Sequence, residues 1–340
     1  MNIQQNASLK KFNSFGIDVY AKYFSAFSGV DELKELITYH KSLPERHSLC
    51  ILGGGSNILF IKNVDGLVLR NEVRGIELIR EDENYVYVRA GAGENWHWFV
   101  QYCLRRNWAG VENLSLIPGS VGAGPIQNIG AYGMELKSVF YELEALNIRE
   151  QKVYAFSLND CGFGYRESVF KEKYKNRFII CSVTFRLYKK PRFNTSYGAI
   201  EEELERMGVK ELSIQAISQA VINIRTSKLP DPGKIGNAGS FFKNPSVSRP
   251  VFDELKTRYP AIIHYENQDG TIKLGAGWLI EQCGWKGFRR GDAGCSEKQA
   301  LVLLNYGQAT GKEILDLSEE IIQSVKTKFG APLEREVNIL

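Results

Sequence analysis

A glycine-rich segment over residues 118–133 constrains this chain more than any other part of its sequence. Five of its sixteen residues are glycine, and glycine loses too much backbone entropy to form the interior of a helix or strand. A second cluster, Gly53-Gly54-Gly55-Ser56-Asn57, follows the apolar residues 49–52. Loops of this kind bring backbone N–H groups close to an anion. The two clusters therefore predict a large phosphate-bearing ligand, with two tight turns and no ligand as the alternative.

Composition limits the classes of protein to consider. The 340 residues are enough for two or three domains, and 44% hydrophobic with 24% charged residues is ordinary for a globular chain. A net charge of only +4 without a basic run argues against nucleic-acid binding. Residues 1–6 do not resemble a signal peptide, and no apolar run approaches the roughly 20 residues of a membrane helix. We therefore expect a cytoplasmic protein without a membrane partner.

Metal and disulfide chemistry find no support in the sequence. None of the six cysteines forms a Cys-x-x-Cys pair, and the four histidines are scattered. A cytosolic chain of this size keeps its thiols reduced. We expect no metal site.

The elements expected up to about residue 190 are mostly strands, which gives a sheet-rich α+β pattern. Strands are expected at 49–52, 67–70, 85–90, 139–147 and 178–187, and a helix at 31–40. A second helix is predicted from the apolar spacing of Trp96, Phe99, Val100, Cys103 and Leu104. A loop over 191–198, helical sequence over 201–227 and a Pro-Gly linker at 230–233 follow.

The last helix and the tail have clear signals. Thr310 and Glu313 form a capping box, and Gly330 ends the helix. Residues 333–340 then alternate as a strand does, with Glu334, Glu336 and Asn338 on the face opposite to Leu333 and Val337.

The common nucleotide-binding motifs are absent. The spacing Gly-x-Gly-x-x-Gly fails after Gly91, where position 96 is tryptophan, and after Gly122, where position 127 is glutamine. Neither glycine cluster ends in the Gly-Lys-Ser/Thr of a Walker loop. A phosphate ligand would therefore be held by another scaffold.

Charged and hydroxyl residues beside glycine turns are candidates for chemistry. Arg166 ends a Gly-Tyr-Arg turn, Arg225 and Lys228 precede the linker, and Ser240 lies in Gly-Ser-Phe-Phe. Arginine binds carboxylates bidentately, although a surface arginine in a hairpin and a turn before a buried Phe pair are equally simple explanations. Glu336 by itself indicates nothing beyond a solvated glutamate. Without a Ser-His-Asp set, the residues favour neutralising a carboxylate and delivering a proton to carbon.

Taken in order, these motifs resemble the UDP-N-acetylenolpyruvoylglucosamine reductase family over nearly the whole chain. The motifs are 53–57, 117–119, 127–133, 164–166, 228–230, 236–245 and 277–280. The resemblance implies an α+β fold: an FAD-binding fold of the vanillyl-alcohol-oxidase type, made of two α+β subdomains, and a C-terminal α+β substrate-binding domain. The implied boundaries are 1–70 for the first subdomain, 71–215 with strand 331–340 for the second, and 216–330 for the substrate domain.

The resemblance also implies a reaction. NADPH reduces FAD, and the flavin N5 passes hydride to C3 of enolpyruvyl-UDP-N-acetylglucosamine, giving UDP-N-acetylmuramate for peptidoglycan. Ser240 is implied as the proton donor to C2, with Arg166 and Glu336 stabilising the enol form and Glu334 as a competitor for the last role. The partners implied are the UDP-sugar and NADPH alone. We expect a monomer.

Binding residues carry over position by position. Those implied for FAD are Gly53, Gly54, Gly55, Ser56, Asn57, Pro118, Gly119, Ser120, Gly122, Gly124, Gln127, Asn128, Gly130 and Ala131. Those implied for substrate are Tyr132, Tyr165, Tyr197, Arg225, Lys228, Asn244, Lys286 and Gln299, with Tyr165 and Lys228 also positioning NADPH. Neither glycine loop contains His or Cys, so non-covalent FAD is expected.

Thr195-Ser196-Tyr197-Gly198 resembles the loop of the family's first type, in which a tyrosine closes over the UDP diphosphate. Asn338 departs from members that have arginine at this position. The alternatives are another FAD-dependent oxidase of the same fold, which a flavin-linking His or Cys would favour, and a non-catalytic flavin- or UDP-sugar-binding regulator.

Overall fold

A computed structural model describes residues 2–45, 47–267 and 269–340. Its helices are α1 Val30–Ser42, α2 Trp96–Leu104, α3 Leu158–Cys161, α4 Gly198–Arg206, α5 Ile214–Lys228, α6 Arg249–Arg258, α7 Ala276–Gln282 and α8 Gly311–Phe329. Short 3₁₀ turns lie at Lys10–Phe12, Glu112–Leu114, Val121–Ala123 and Leu136–Ser138. None of the helices within these described ranges combines the length and apolar character needed to cross a bilayer.

The strands are mostly short. In chain order they are β1 Gln4–Ser8, β2 Tyr20–Phe27, β3 Ser48–Leu52, β4 Ile58–Leu59, β5 Val64–Asn71, β6 Ile76–Glu81, β7 Tyr85–Gly91, β8 Gly130–Ala131, β9 Met134–Glu135, β10 Phe140–Asn147, β11 Val153–Ser157, β12 Phe178–Tyr188, β13 Ser246–Val247, β14 His264–Glu266, β15 Ile272–Leu274, β16 Arg289–Arg290, β17 Ala293–Cys295, β18 Leu303–Asn305 and β19 Asn338–Ile339. The predicted strands at 49–52, 67–70, 85–90, 139–147 and 178–187 are confirmed as β3, β5, β7, β10 and β12. Among the strands of five or more residues, β1, β2, β6 and β11 were not predicted, and neither were the shorter strands before the tail.

The chain forms two compact units. The first contains residues up to 7, 21–54 and 64–227, and the second contains 8–20, 55–63 and 228–340. The boundary passes between Gly54 and Gly55, inside the first glycine cluster. The functional domain boundaries expected from the sequence stay a prediction.

Two sheets build the first unit. One has the order β1-β2-β5-β3, with β2 and β3 parallel to β5, and the other is antiparallel with the order β11-β10-β12-β7-β6. Apolar residues of α2 pack on the second sheet, where the ring centroids of Phe99 and Phe185 lie 4.6 Å apart. The predicted buried face of α2 is confirmed: all five of its apolar residues are at most 3% exposed.

The second unit contains the sheets β13-β15-β14 and β16-β17-β18 and the long helix α8. The capping box of Thr310 and Glu313 is present, and Gly330 ends the helix with a φ of 65°. The tail is less regular than predicted, because only Asn338–Ile339 forms a strand, parallel to β4. The predicted loop over 191–198 likewise ends one residue early, where α4 begins at Gly198.

Candidate functional site

The two glycine loops meet within the first unit. A Cβ on Gly54 would lie 2.7 Å from the Cα of Gly119, and one on Gly53 would lie 2.3 Å from the Ser120 Oγ. Real Cβ atoms do not come this close to backbone, so the contact of Gly54 with Gly119 requires glycine. Gly119 itself has a φ of 112°, a conformation that glycine alone adopts without strain. The glycines of these loops therefore let two backbone segments touch.

Several backbone donors at this contact have no hydrogen-bond acceptor among the described residues. Across the described residues, the N–H groups of Gly53, Gly54, Gly119 and Ser120 have no hydrogen-bond acceptor. The loop is nevertheless fixed, since the Val121 N–H donates to the Glu94 carbonyl at 2.8 Å. Successive N–H groups without an internal acceptor on glycine-rich turns are the donors that typically hold an anion. The geometry fits the phosphate ligand predicted from the sequence.

Other glycines of the second loop serve packing. A Cβ on Gly122 would lie 2.5 Å from the Ala92 Cβ, and one on Gly124 would lie 2.7 Å from the Leu136 Cδ1. Their predicted cofactor contacts stay predictions, but close approach to neighbouring residues already explains why both are glycine.

Asn128 joins the second glycine loop to the Gly-Tyr-Arg turn. It is fully buried, and its Nδ2 donates to the Gly164 carbonyl at 3.0 Å and to Glu135 Oε2 at 3.1 Å. Arg166, on the same turn, donates from Nη2 to the Gly130 carbonyl at 2.6 Å. The Asn128 side chain therefore acts in the structure by fixing the turn that carries Arg166.

Backbone strain concentrates near these residues. Eight non-glycine residues of the described ranges have positive φ, and three of them are predicted site residues: Asn128 at 45°, Tyr132 at 52° and Arg166 at 55°. A fourth, Leu116 at 57°, precedes the Ile-Pro-Gly motif. Such conformations persist where surrounding contacts enforce them, and they cluster at functional sites.

Three predicted substrate residues come together in the first unit. The rings of Tyr132 and Tyr197 meet edge to face with centroids 5.3 Å apart. Tyr197 caps α4, and Arg225 lies near the end of α5, which packs on α4 through Ile200, Val221 and Ile224. Burial raises the pKa of Tyr132, while the nearby Arg225 guanidinium acts against this shift. The cluster is aromatic with one permanent positive charge.

A buried asparagine fixes the turns that carry the two tyrosines. The Nδ2 of Asn113, which is 1% exposed, donates to the carbonyls of Tyr132 and Asn194 at 2.9 Å each. Asn194 in turn donates to the Gly133 carbonyl at 3.1 Å. The segment that leads to Tyr197 is therefore anchored at Asn194, three residues before the tyrosine.

Ser240 lies in the second unit, on an extended segment between two others. It forms a bridge with Val302 on one side, and the next residue, Phe241, accepts at its carbonyl the N–H of Glu336 at 2.8 Å on the other. Phe241 and Phe242 are buried and anchor the segment. Asn237 shapes the turn before it by accepting the Gly239 N–H at 3.0 Å. The structure thus places Glu336 opposite the neighbour of Ser240.

The two glutamates of the tail have different environments. Glu334 makes an ion pair with Lys243, with Nζ and Oε2 3.0 Å apart, and its side chain is 70% exposed. Glu336 is half-buried, and its carbonyl accepts the Asn57 Nδ2 at 3.2 Å. Burial beside the Ser240 segment favours Glu336 over Glu334 as the functional carboxyl group.

Asn338 holds the first glycine cluster at its end. Both its backbone N–H and its Nδ2 donate to the Asn57 carbonyl, at 3.1 and 3.0 Å. Asn338 therefore has a structural partner of its own.

Three further predicted residues of the second unit, Asn244, Lys286 and Gln299, have structural contacts of their own. Asn244 accepts the Ala276 N–H at 2.9 Å, and Lys286 pairs with Glu281 at 2.9 Å. Gln299 lies against Gly277, where a Cβ would be 2.8 Å from its Oε1.

Comparisons with known proteins agree with this geometry. A family model described as "FAD binding domain" matches residues 22–150, and one described as "UDP-N-acetylenolpyruvoylglucosamine reductase, C-terminal domain" matches residues 231–340. Among solved structures, a VAO-type flavoprotein from Myceliophthora thermophila covers 95% of this chain and 73% of its own, with a TM-score of 0.51 and 12% identity. Fold and site together define a flavoprotein oxidoreductase with a VAO-type FAD-binding fold, and its cofactor is FAD.

Full-length relatives specify the family. The curated UDP-N-acetylenolpyruvoylglucosamine reductase of Flavobacterium johnsoniae is 48% identical, and that of Amoebophilus asiaticus is 49% identical, each over 100% of both chains. A crystal structure of the enzyme from Thermus caldophilus has a TM-score of 0.69 at 24% identity and covers 100% of this chain and 99% of its own. The chain belongs to the UDP-N-acetylenolpyruvoylglucosamine reductase family.

The cradle between the two glycine loops gives a direct test. Gly54→Ala is expected to weaken FAD binding by roughly 5–150-fold, because overpacking typically costs about 1–3 kcal/mol and the new Cβ meets the Gly119 backbone. FAD affinity is measured by fluorescence titration of apoprotein. Gly29→Ala is the control, since a Cβ there has nothing within 4 Å. Equal FAD affinity in both variants would contradict the assignment of this cradle.

Sequence reasoning missed His97, Asn113 and Leu116. None of them carries a motif, and a leucine gives no signal of a left-handed backbone. His97 accepts the Leu116 N–H at its Nδ1, 2.9 Å away, and Arg225 donates from Nε to the Leu116 carbonyl at 3.2 Å.

Proposed function

We propose that this protein reduces enolpyruvyl-UDP-N-acetylglucosamine to UDP-N-acetylmuramate, with NADPH as the reductant, in peptidoglycan precursor synthesis. The observation that carries the proposal is full-length similarity to reductases of this name, at 48% and 49% identity. The residues that the reaction needs are also present. Ser240, Arg166 and Glu336 each lie on a backbone segment fixed by hydrogen bonds.

FAD, held non-covalently, supplies hydride transfer from the nicotinamide to C3 of the enol ether. Gly53, Gly54, Gly119 and Ser120 offer their N–H groups to its pyrophosphate. The other predicted FAD residues of both loops complete the site, with Asn128 acting through the turn it fixes.

Ser240 delivers the proton to C2 of the substrate. A serine hydroxyl is a weak acid, so the charge that develops in the substrate has to be stabilised for proton loss to be tolerable. We assign Glu336 and Arg166 to stabilising the enol form of the substrate carboxylate. Half-burial of Glu336 supports this role, because the effect of a carboxyl group grows as water is excluded.

Substrate is anchored by the aromatic cluster of Tyr132 and Tyr197 together with Arg225. Arginine neutralises an anionic group of the UDP-sugar, and Tyr197 closes over the diphosphate as in the family's first type. Asn244, Lys286, Gln299, Lys228 and Tyr165 complete substrate binding, the last two also contacting NADPH.

The proposal is tested by anaerobic absorbance spectroscopy. Purified protein should be yellow and release FAD in acid, NADPH should bleach it, and enolpyruvyl-UDP-N-acetylglucosamine should restore the colour with formation of UDP-N-acetylmuramate. Reoxidation by oxygen and an alcohol-dependent turnover, without response to the UDP-sugar, would instead favour an oxidase of the same fold.

Tyr197→Phe is expected to raise the KM for the UDP-sugar by about 10–150-fold, because a hydrogen bond to a charged group contributes roughly 1.5–3 kcal/mol. Reduction of FAD by NADPH should be unaffected. Stopped-flow measurement of each half-reaction checks this, and substrate should protect residues 195–197 of the native chain from proteolysis. Normal affinity in the variant, with unchanged cleavage of the native loop, would remove the clamp assignment.

A further inference from the structure

Leu116 is held in its rare backbone conformation by two side chains, one bonded to its N–H and the other to its carbonyl. Its N–H donates to Nδ1 of His97 at 2.9 Å, and its carbonyl accepts from Nε of Arg225 at 3.2 Å. Leucine has no polar side chain with which to stabilise a φ of 57°. The conformation therefore depends on these partners, and the direction of the Leu116 carbonyl depends on His97.

The position of His97 is fixed because hydrogen bonds hold the N-terminal end of α2. The helix is capped by Asn95, whose Oδ1 accepts the Trp98 N–H at 3.0 Å. Trp96 is buried, and its Nε1 donates to the Leu114 carbonyl at 2.8 Å. The imidazole of His97 is thus carried on a helix end that is tied to the segment just before Leu116.

Arg225 receives its orientation from the same carbonyl. A guanidinium is planar with five N–H donors in a fixed fork, so a bond at Nε sets the directions of the two terminal nitrogens. The Arg225 charge acts on Tyr132, where it opposes the rise in pKa that burial causes. Without the hydrogen bond to the Leu116 carbonyl, the cluster would keep the positive charge of Arg225, but the guanidinium would no longer be held in the same orientation.

We propose that His97 is a positioning residue of the reductase: its Nδ1 holds the Leu116 peptide so that the Leu116 carbonyl aims the Arg225 guanidinium at an anionic group of the UDP-sugar. The inference rests on the proposed function through Arg225. It requires a neutral imidazole with its proton on Nε2, because a protonated Nδ1 is a donor and cannot accept the Leu116 N–H.

The protonation of His97 agrees with this requirement. Burial lowers the pKa of His97, and the positive charge of Arg225 on α5 lowers it further. Among the described residues, Arg225 is the charged group that acts on the His97 ring. The neighbours of His97 on α2 are the uncharged Trp96 and Trp98. The acceptor is therefore retained as pH falls through the ordinary histidine value of about 6.5 and lost only below it.

Two substitutions distinguish the role of the hydrogen-bond acceptor of His97 from that of its imidazole ring. His97→Asn places Oδ1 near the position of Nδ1 and keeps an acceptor that does not titrate, whereas His97→Leu removes the acceptor. At pH 8, His97→Leu should raise the KM for the UDP-sugar roughly 3–15-fold with little change in kcat, as expected for one lost hydrogen bond. His97→Asn should keep a native KM, and its KM should stay level at acid pH where that of the native enzyme rises.

Hydrogen exchange of the Leu116 amide, followed on the FAD-loaded protein by NMR, gives a readout that does not depend on activity. Exchange should accelerate in His97→Leu and stay slow in His97→Asn. Unchanged exchange and an unchanged KM in His97→Leu would overturn the inference, as would equal KM defects in the two folded variants.

Arg225→Ala, assayed beside them, keeps the two proposals distinguishable. A raised KM in Arg225→Ala with a native KM in His97→Leu overturns the role of His97 and leaves the proposed function standing. Failure of the native enzyme to reduce the UDP-sugar overturns the proposed function, whatever the exchange of Leu116.

Discussion

Replacement of Ser240 by alanine is expected to leave reduction of FAD by NADPH nearly unchanged while it slows reduction of the UDP-sugar by about 10²–10⁴-fold. The first half-reaction needs no proton at C2 of the substrate, so it does not use the hydroxyl. The second does, and alanine offers no proton. The bridge with Val302 uses the backbone of Ser240, and the turn at Gly239 is held by the Asn237 side chain, so neither depends on the Ser240 hydroxyl and the variant should fold normally.

Stopped-flow absorbance of the two half-reactions checks this expectation. Ser248→Ala is a matched control, because Ser248 is an exposed residue of the same unit whose side chain makes no cap hydrogen bond to α6. A variant of Ser240 that loses both half-reactions equally, with native FAD content, would assign the residue to binding instead of proton transfer.

Glu336→Ala is expected to lower kcat by about 10²–10³-fold, the range found when a single group that stabilises developing charge is removed. Glu334→Ala should stay near the native rate, because the Glu334 side chain is 70% exposed to screening water and pairs with the largely buried Lys243. The two residues are neighbours of the same type on one face of the tail, so each controls for the other.

The measurement is kcat at saturating UDP-sugar, together with the rate of FAD reduction by NADPH. An amide can donate a hydrogen bond but cannot carry a negative charge. The rate of Glu336→Gln therefore shows which of these two properties of the carboxyl group the reaction needs. A larger loss in Glu334→Ala than in Glu336→Ala would exchange the two assignments.

Local signals in the sequence were enough to predict several elements. α8 has a capping box at one end, a glycine at the other and apolar residues at helical spacing between them, and each of these is local. β3 and β5 are short apolar runs next to glycine or polar residues, as expected for buried parallel strands. The first glycine cluster could be placed because it directly follows such a strand.

Other features depend on contacts between distant residues. The side chain of Asn113 donates to residues 19 and 81 positions away, and no pattern near Asn113 indicates them. β6 is mostly exposed, so it lacks the apolar alternation that predicts a strand. Glu334 and Glu336 are equivalent in the alternating pattern of the tail, and only tertiary contacts distinguish the exposed partner of Lys243 from the half-buried residue beside the Ser240 segment.

The bonds between Asn338 and Asn57 bear on how the protein matures. They join residues 281 positions apart, and β19 lies beside β4 with a similar separation. On the ribosome, the segment after the first glycine cluster therefore waits until residues 336–339 have emerged before its final hydrogen bonds can form. Nascent chains should accordingly gain tight flavin retention only after residues 336–339 have emerged, and chaperones would meet this segment while it is still incomplete.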